Sequence, residues 1–362
     1  MSRVTVAICT YKEAHSGYLE QSIQSVIEQT YKDLKIIVYD DASPDNTEGI
    51  VYKFMEKDKR ISYVKNEKNL GLFGNFNKVL DCCDTEYVVV FHDDDVMLPH
   101  MVETEVKELD IHPNAVMCGQ MYCPITMDEN NKSEIHPKYS YTKDVTVFEQ
   151  GRLIEENLNR GGNVFCCPSV MFRTQKINEF NLRFKGEIGN AADWLLWLEA
   201  NKSYEIIGIS NPIMKYRNHS NTTTNRTNIF GMCDTHYQIE IWLLRNGYER
   251  YMQKIRDNFI LSAFSSLNNE PYVDSFLNLK KELYSRYNWE ISDQSIIVKR
   301  ILAKEFIRIS KKETSFSDYF KKRNLIKEKL GAKIGIIEET MLFLKYFIAR
   351  SLILKLSRLF HK

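Results

Sequence analysis

The run Tyr87-Val88-Val89-Val90-Phe91 is apolar at every position and ends in His92-Asp93-Asp94-Asp95. An unbroken β-branched and aromatic stretch of this kind, without the period-two alternation of a half-wet strand, predicts a parallel strand covered on both faces. Open α/β sheets bind ligands beyond the C-terminal ends of such strands. Three adjacent carboxylates there repel one another unless a cation stands among them. As hard oxygen ligands they suit Mg²⁺ or Mn²⁺, with substrate phosphate and water completing the shell. The competing interpretation is a solvated acidic loop ahead of a helix opened by Pro99.

Strand and helix patterns alternate around this run. Val4 to Cys9 is a first strand, and Leu19, Ile23, Val26 and Ile27 then recur at helical spacing. Leu34 to Tyr39 is a second strand, ending in Asp40-Asp41-Ala42-Ser43. Asp45 and Glu48 stand at capping-box separation before Ile50, Val51, Phe54 and Met55. Ile61 to Val64 is a short third strand, and Asn69-Leu70-Gly71 turns into a helix carrying Phe73, Phe76, Val79 and Leu80. The alternation predicts a parallel sheet with right-handed crossovers to about Met121. Farther on come a strand from Val116 to Tyr122, a polar loop from Asp128 to Lys143 expected to be mobile, and a strand at Ser169 to Phe172. A helix from Ala191 to Asn201 and a strand-rich stretch from Tyr204 to Tyr216 follow. Helical patterns then dominate, near Asp234 to Arg245, Tyr251 to Leu267, Tyr272 to Tyr287 and Ser292 to Ile309, so a boundary is expected at about residue 230. This divides the chain into 1–230 and a helical extension, 231–362.

With 362 residues, 43% hydrophobic content and a formal net charge of +1, the chain can bury one large core and shows no basic excess that would suggest nucleic acid. Its eight cysteines include the adjacent pairs Cys82-Cys83 and Cys166-Cys167 but no CxxC spacing, which supports neither zinc nor a redox motif and fits a reducing cytoplasm. No secretory leader is expected ahead of Val4. In the last segment, about 335–362, Leu342, Ile348, Ala349, Leu352, Ile353, Leu356, Leu359 and Phe360 share one helical face, and Arg350, Lys355, Arg358 and Lys362 lie opposite. Such a helix either lies in the interface of an anionic membrane or packs on its neighbours, and its charges exclude a spanning role.

After the first strand stands Thr10-Tyr11-Lys12-Glu13, with neither GxGxxG nor a P-loop lysine, which argues against a nicotinamide enzyme. The residues instead resemble the inverting family-2 glycosyltransferases of GT-A fold. The resemblance runs through Val4 to Tyr11, Tyr39 to Ser43, Asn69-Leu70-Gly71, Asp93 to Asp95 with Pro99, Pro168 to Arg173, Ala192 to Leu198 and Tyr216-Arg217-Asn218-His219. It covers about residues 1–225.

The resemblance implies a Rossmann-like mixed sheet flanked by helices and a nucleotide-sugar site. Thr10, Tyr11 and Glu13 would line the nucleoside pocket, Asp41 would bond the base, Asn69 and Asn77 would support it, and Asp93 would touch ribose or diphosphate. Asp94, Asp95 and His219 would hold Mn²⁺ or Mg²⁺. Asp193 is the expected general base, with Trp194 on the acceptor side. Where the family's acidic motif usually opens with a carboxylate this chain has His92, and where a Glu commonly precedes the base it has Ala192, leaving Glu187 as a substitute. The expected enzyme is metal-dependent and inverting, takes a UDP-sugar or a related donor, and extends a bacterial surface glycan such as an O-antigen or capsule. The acceptor would be linked to undecaprenyl diphosphate at the inner face of the cell membrane. Rival interpretations are a nucleotidyltransferase, which would favour a Gly-rich basic loop after the first strand, and a non-catalytic protein of the same fold.

Overall fold

The structure is a computed structural model and describes residues 2–136, 144–160, 162–219, 229–256, 272–287 and 289. It divides into two compact units, Met1–Met252 and Gln253–Lys362, so the helix Ile229–Arg245 belongs to the first. The expected helix at Ser292 to Ile309 and the amphipathic segment 335–362 lie outside the described residues.

The first unit opens with β1 (Val4–Thr10), α1 (Tyr18–Ile27), β2 (Leu34–Asp40), α2 (Thr47–Lys57), β3 (Ile61–Lys65), α3 (Leu72–Cys82) and β4 (Tyr87–His92). It continues with β5 (Val96–Met97), α4 (Met101–Ile111), β6 (Ala115–Gln120), β7 (Ile125–Met127), β8 (Ser133–Ile135), β9 (Val145–Phe148) and α5 (Leu153–Arg160). Then come β10 (Met171–Arg173), α6 (Thr174–Glu179), α7 (Ala192–Asn201), β11 (Glu205–Ile209) and β12 (Met214–Arg217). An eight-stranded sheet runs β3-β2-β1-β4-β10-β6-β11-β9, and a smaller one runs β5-β12-β7-β8.

The large sheet is mixed, as the resemblance implies. β10 enters between β4 and β6 antiparallel to both, so β6 is separated from β4. The strands that carry the site, β3, β2, β1 and β4, are parallel, with Thr10 opposite Asp40 and Cys9 opposite His92. Their polar C-terminal residues therefore gather on one edge.

Every residue of β1 and the whole Tyr87–Phe91 run are buried. Two apolar layers cover the sheet. On one side α1 and α4 pack Leu19, Ile23, Val102 and Val106 against Val6, Ile8 and Val89. On the other, α3 and α7 pack Phe76, Val79, Leu196 and Trp197 against Ala7, Val88 and Val90. Alternate residues of the valine run thus serve opposite cores, which is why that run shows no polar alternation.

Two local expectations are corrected. The Asp45 and Glu48 capping box does not form: α2 begins at Thr47, Asp45 accepts bonds from Thr47 and the Ala14 amide, and Glu48 accepts from the Tyr52 hydroxyl. The stretch assigned to a polar loop from Asp128 contains β8, paired antiparallel with β7. β12 lies between β5 and β7, with Met214 opposite Met97 and Arg217 opposite Met127. The small sheet thereby returns the chain to the acidic end of β4.

Candidate active site

The loop after β1 is shaped by the loops after β2 and β4. The Lys12 amide donates to Ser43 Oγ at 2.9 Å, and the Tyr11 amide to Asp93 Oδ2 at 3.3 Å. Lys12 takes a left-handed φ of 63°, which turns the chain away from the strand and leaves the Tyr11 ring 42% exposed at the sheet edge. Glu13 accepts from the Ser16 hydroxyl, and burial raises its carboxyl.

Asp41 is buried, and its carboxylate holds the 66–71 loop. Oδ1 accepts from the Leu70 amide at 2.7 Å and Asn66 Nδ2 at 2.9 Å, and Oδ2 accepts from the Gly71 amide at 2.9 Å. The carboxylate thereby fixes the loop, with two donors on Oδ1 and one on Oδ2. Asn69 completes this turn, donating to the Asp41 carbonyl and accepting from Gly71. Asn75 and Asn66 went unnoticed in the sequence: Asn75 donates to the Tyr39 carbonyl at 3.0 Å and accepts from Asn66. The signal was there, since Asn75 falls on the stripe of Phe76, Val79 and Leu80, where a polar side chain needs a partner. Asn77 exchanges two bonds with the Phe184 backbone and supports the approach to α7.

At the end of β4 the carboxylates divide. Asp93 faces Tyr11, while Asp94 Oδ2 lies 3.1 Å from His219 Nε2. Asp95 is fully buried; Oδ1 accepts from the Arg217 amide at 2.7 Å, and Oδ2 has no hydrogen-bond partner among the described residues. Burial first, and the Asp94 charge second, push the Asp93 and Asp95 carboxyls well above the ordinary range. His92, stacked on Phe76, is pushed down by burial. Ligand atoms of His92, Asp94 and Asp95 all lie within 4.8 Å of one another, and His219 adjoins Asp94.

This donor set fits a divalent cation. Buried acids with an orphaned oxygen lack positive charge, and imidazole with carboxylate suits Mn²⁺. The structure groups His92, which stands where a carboxylate was expected, with Asp94 and Asp95, and His219 of the expected trio meets this group through Asp94. Arg217 holds the site from behind. Fully buried, it donates to the Asp94 carbonyl at 2.6 Å, Asn131 Oδ1 at 2.8 Å, the Asp128 carbonyl at 3.2 Å and Gln21 Oε1 at 2.8 Å, and its guanidinium lies 4.0 Å from the Tyr18 ring centroid.

Asp193 stands in the first turn of α7, an intermediate between buried and exposed. Burial raises its carboxyl to about 6, against bonds from the Trp194 amide and Asn163 Nδ2. Trp197 is core, packed on Phe172 and Phe184. Trp194 corrects an expectation: it is only 4% exposed and faces His236 edge-on, so it offers no open face for a sugar. α7 is apolar nearly all round, with every residue from Trp194 to Leu198 buried, and this places the ring in the interior. Glu187 is exposed in the turn Gly186–Ala191 and does not replace the missing Glu.

The mixed sheet flanked by helices, with its carboxylates gathered on one edge, is that of the GT-A glycosyltransferase fold. Residues 5–180 match glycosyl transferase family 2, and the chain carries a domain of that family. An uncharacterized glycosyltransferase of Haemophilus influenzae is 28% identical over 291 residues, 78% of this chain and 85% of the relative. The GalNAc(5)-diNAcBac-PP-undecaprenol beta-1,3-glucosyltransferase of Campylobacter jejuni is 36% identical over 109 residues, 30% of this chain and 35% of the relative. Among solved structures, S. aureus TarS 1-349 in complex with UDP-GlcNAc has a TM-score of 0.57 at 17% identity, covering 84% of this chain and 80% of that one, a likeness of fold.

Proposed function

We propose that this glycosyltransferase is inverting and metal-dependent, takes a UDP-sugar, and extends a lipid-linked bacterial glycan from the cytoplasmic face of the membrane. The observation that carries the reaction type is the pairing of a cation set containing an orphaned, fully buried Asp95 oxygen with a separate, partly accessible Asp193. Asp193 accepts the proton of the acceptor hydroxyl as that oxygen attacks the anomeric carbon, and the bond from that carbon to the diphosphate breaks on the opposite face. Displacement in line inverts the sugar. His92, Asp94, Asp95 and His219 would hold the cation, and the chemistry it supplies when bound is neutralisation of the charge growing on the diphosphate. Asp93, Tyr11 and the loop fixed by Asp41 and Asn69 orient the nucleoside.

The UDP choice is supported by the fold shared with the TarS–UDP-GlcNAc complex, and the lipid-linked acceptor by the similarity to the Campylobacter enzyme. Calorimetry with UDP-, GDP- and dTDP-sugars tests the donor. A UDP-sugar should bind with Mn²⁺ and lose on the order of a hundredfold in affinity under chelation, about 2.7 kcal/mol by the affinity scale. Heat from none of the sugars, with Mn²⁺ present, would remove the proposal.

Among the described residues no helix is long and apolar enough to cross a membrane. Membrane contact is proposed from the sequence of 335–362 alone, whose face of Leu, Ile and Phe opposes Arg350, Lys355, Arg358 and Lys362. The full chain should co-sediment with anionic vesicles several-fold better than with neutral ones, and a chain ending before residue 335 should lose the difference. Equal binding by the two chains would rule out this contact.

A further inference from the structure

We propose that Asn163 is a positioning residue for the reaction: its side-chain amide holds the Asp193 carboxylate in the orientation that receives the acceptor proton. The role depends on Asp193 being the base, as proposed above. Asn163 Nδ2 donates to Asp193 Oδ2 at 2.9 Å, while its Oδ1 accepts from the Phe165 amide at 3.1 Å. A backbone N–H can only donate, so the atom facing Phe165 must be the amide oxygen, and the amino group must face Asp193. The assignment of the two ends of the side chain is therefore fixed by chemistry.

The segment that carries Asn163 is itself anchored to β6 and the turn after it. The Tyr122 amide donates to the Val164 carbonyl at 2.7 Å, the Cys166 amide donates to the Gln120 carbonyl at 3.0 Å, and Met121 pairs with Phe165. The other carboxylate oxygen, Oδ1, accepts from the Trp194 amide at 2.6 Å. A donor to each oxygen, the Asn163 side chain from the anchored 163–166 segment and the Trp194 amide from the start of α7, resists rotation of the carboxylate. Such preorganisation is what places a base in line with its proton. The family's usual neighbour, a Glu before the base, is Ala192 here, and Asn163 supplies a partner from another part of the chain.

The same bond favours the ionised form, opposing the burial that raises Asp193. Among the described residues, the Cys167 thiol, which burial keeps protonated, is raised further by the Asp193 charge, and the His236 imidazole of the helix Ile229–Arg245 lies edge-on to the neighbouring Trp194 ring. The parent's kcat/KM should fall below about pH 6. Removing the amide lets burial act with less opposition, so the midpoint should rise.

The test uses full-length protein, saturating donor and Mn²⁺, with a pH profile of acceptor kcat/KM for each variant. Asn163→Ala should lower kcat on the order of ten- to a hundredfold and move the acid midpoint up by about one pH unit, with the donor Kd from calorimetry unchanged. Asn163→Asp, nearly isosteric, sets a second carboxylate against the first and should move the midpoint farther up, which keeps the test open should the alanine variant fold poorly. Unchanged kcat and midpoint in folded Asn163→Asp, while Asp193→Asn is inactive, would overturn the role of Asn163 and leave the base in place. Full activity of Asp193→Asn would overturn the base assignment and the role of Asn163 with it.

Discussion

Asp193→Asn is expected to lose on the order of 10² to 10⁴ in kcat, the usual worth of a positioned base, while donor binding with Mn²⁺ stays within about twofold. The amide matches the carboxylate in shape but cannot take a proton at neutral pH. The parent provides an internal check. Its carboxyl is raised by burial to about 6, so the base is protonated below that pH and kcat/KM should drop about tenfold per unit there, with a plateau above. In Asp193→Asn that limb should vanish. Residual activity within tenfold of the parent, with the limb intact, would assign the proton transfer to another group.

The second large effect is on stability. Arg217→Met should cost about 3 to 5 kcal/mol in urea unfolding, because a fully buried guanidinium is replaced by a side chain that can donate nothing. The Asp94 and Asp128 carbonyls, Asn131 and Gln21 would each lose a donor; Asn131 is exposed and can turn to water, so the cost falls mainly on the partly buried acceptors, at the lower end of the roughly 1 to 3 kcal/mol that a stranded acceptor costs. The same change should weaken Mn²⁺ affinity, since Arg217 ties the segment leading to His219 to the backbone of Asp94. A variant within 1 kcal/mol of the parent would show that the network carries little energy. Lys is no substitute here, as a single ammonium cannot span four acceptors held in different directions.

Much of the fold and part of the site were legible in the sequence. The helices after β1, β2 and β3 follow from periodicity, and the valine run with its acidic end from an unbroken apolar stretch, because each of these signals is short-range. The acidic run itself made Asp93 to Asp95 candidates and the resemblance added Thr10-Tyr11, Asp41, Asp193 and His219; the structure sets Asp93 beside Tyr11 and Asp94 beside His219. What escaped was pairwise. The antiparallel entry of β10, the burial of Trp194, the structural use of Asp41, and the partners Asn66, Asn75, Arg217 and Asn163 all depend on contacts between segments far apart in sequence.

The amino-acid order alone settled that this chain builds an α/β sheet with carboxylates at a strand edge, since hydrophobic periodicity and the clustering of like charge are local properties. Which nitrogen and oxygen atoms come together at that edge, and which partner each carboxylate takes, were decided by the tertiary structure. Only folding brings His219 3.1 Å from Asp94 and Asn163 2.9 Å from Asp193, and hydrogen bonding and charge interaction act through such distances rather than through sequence separation.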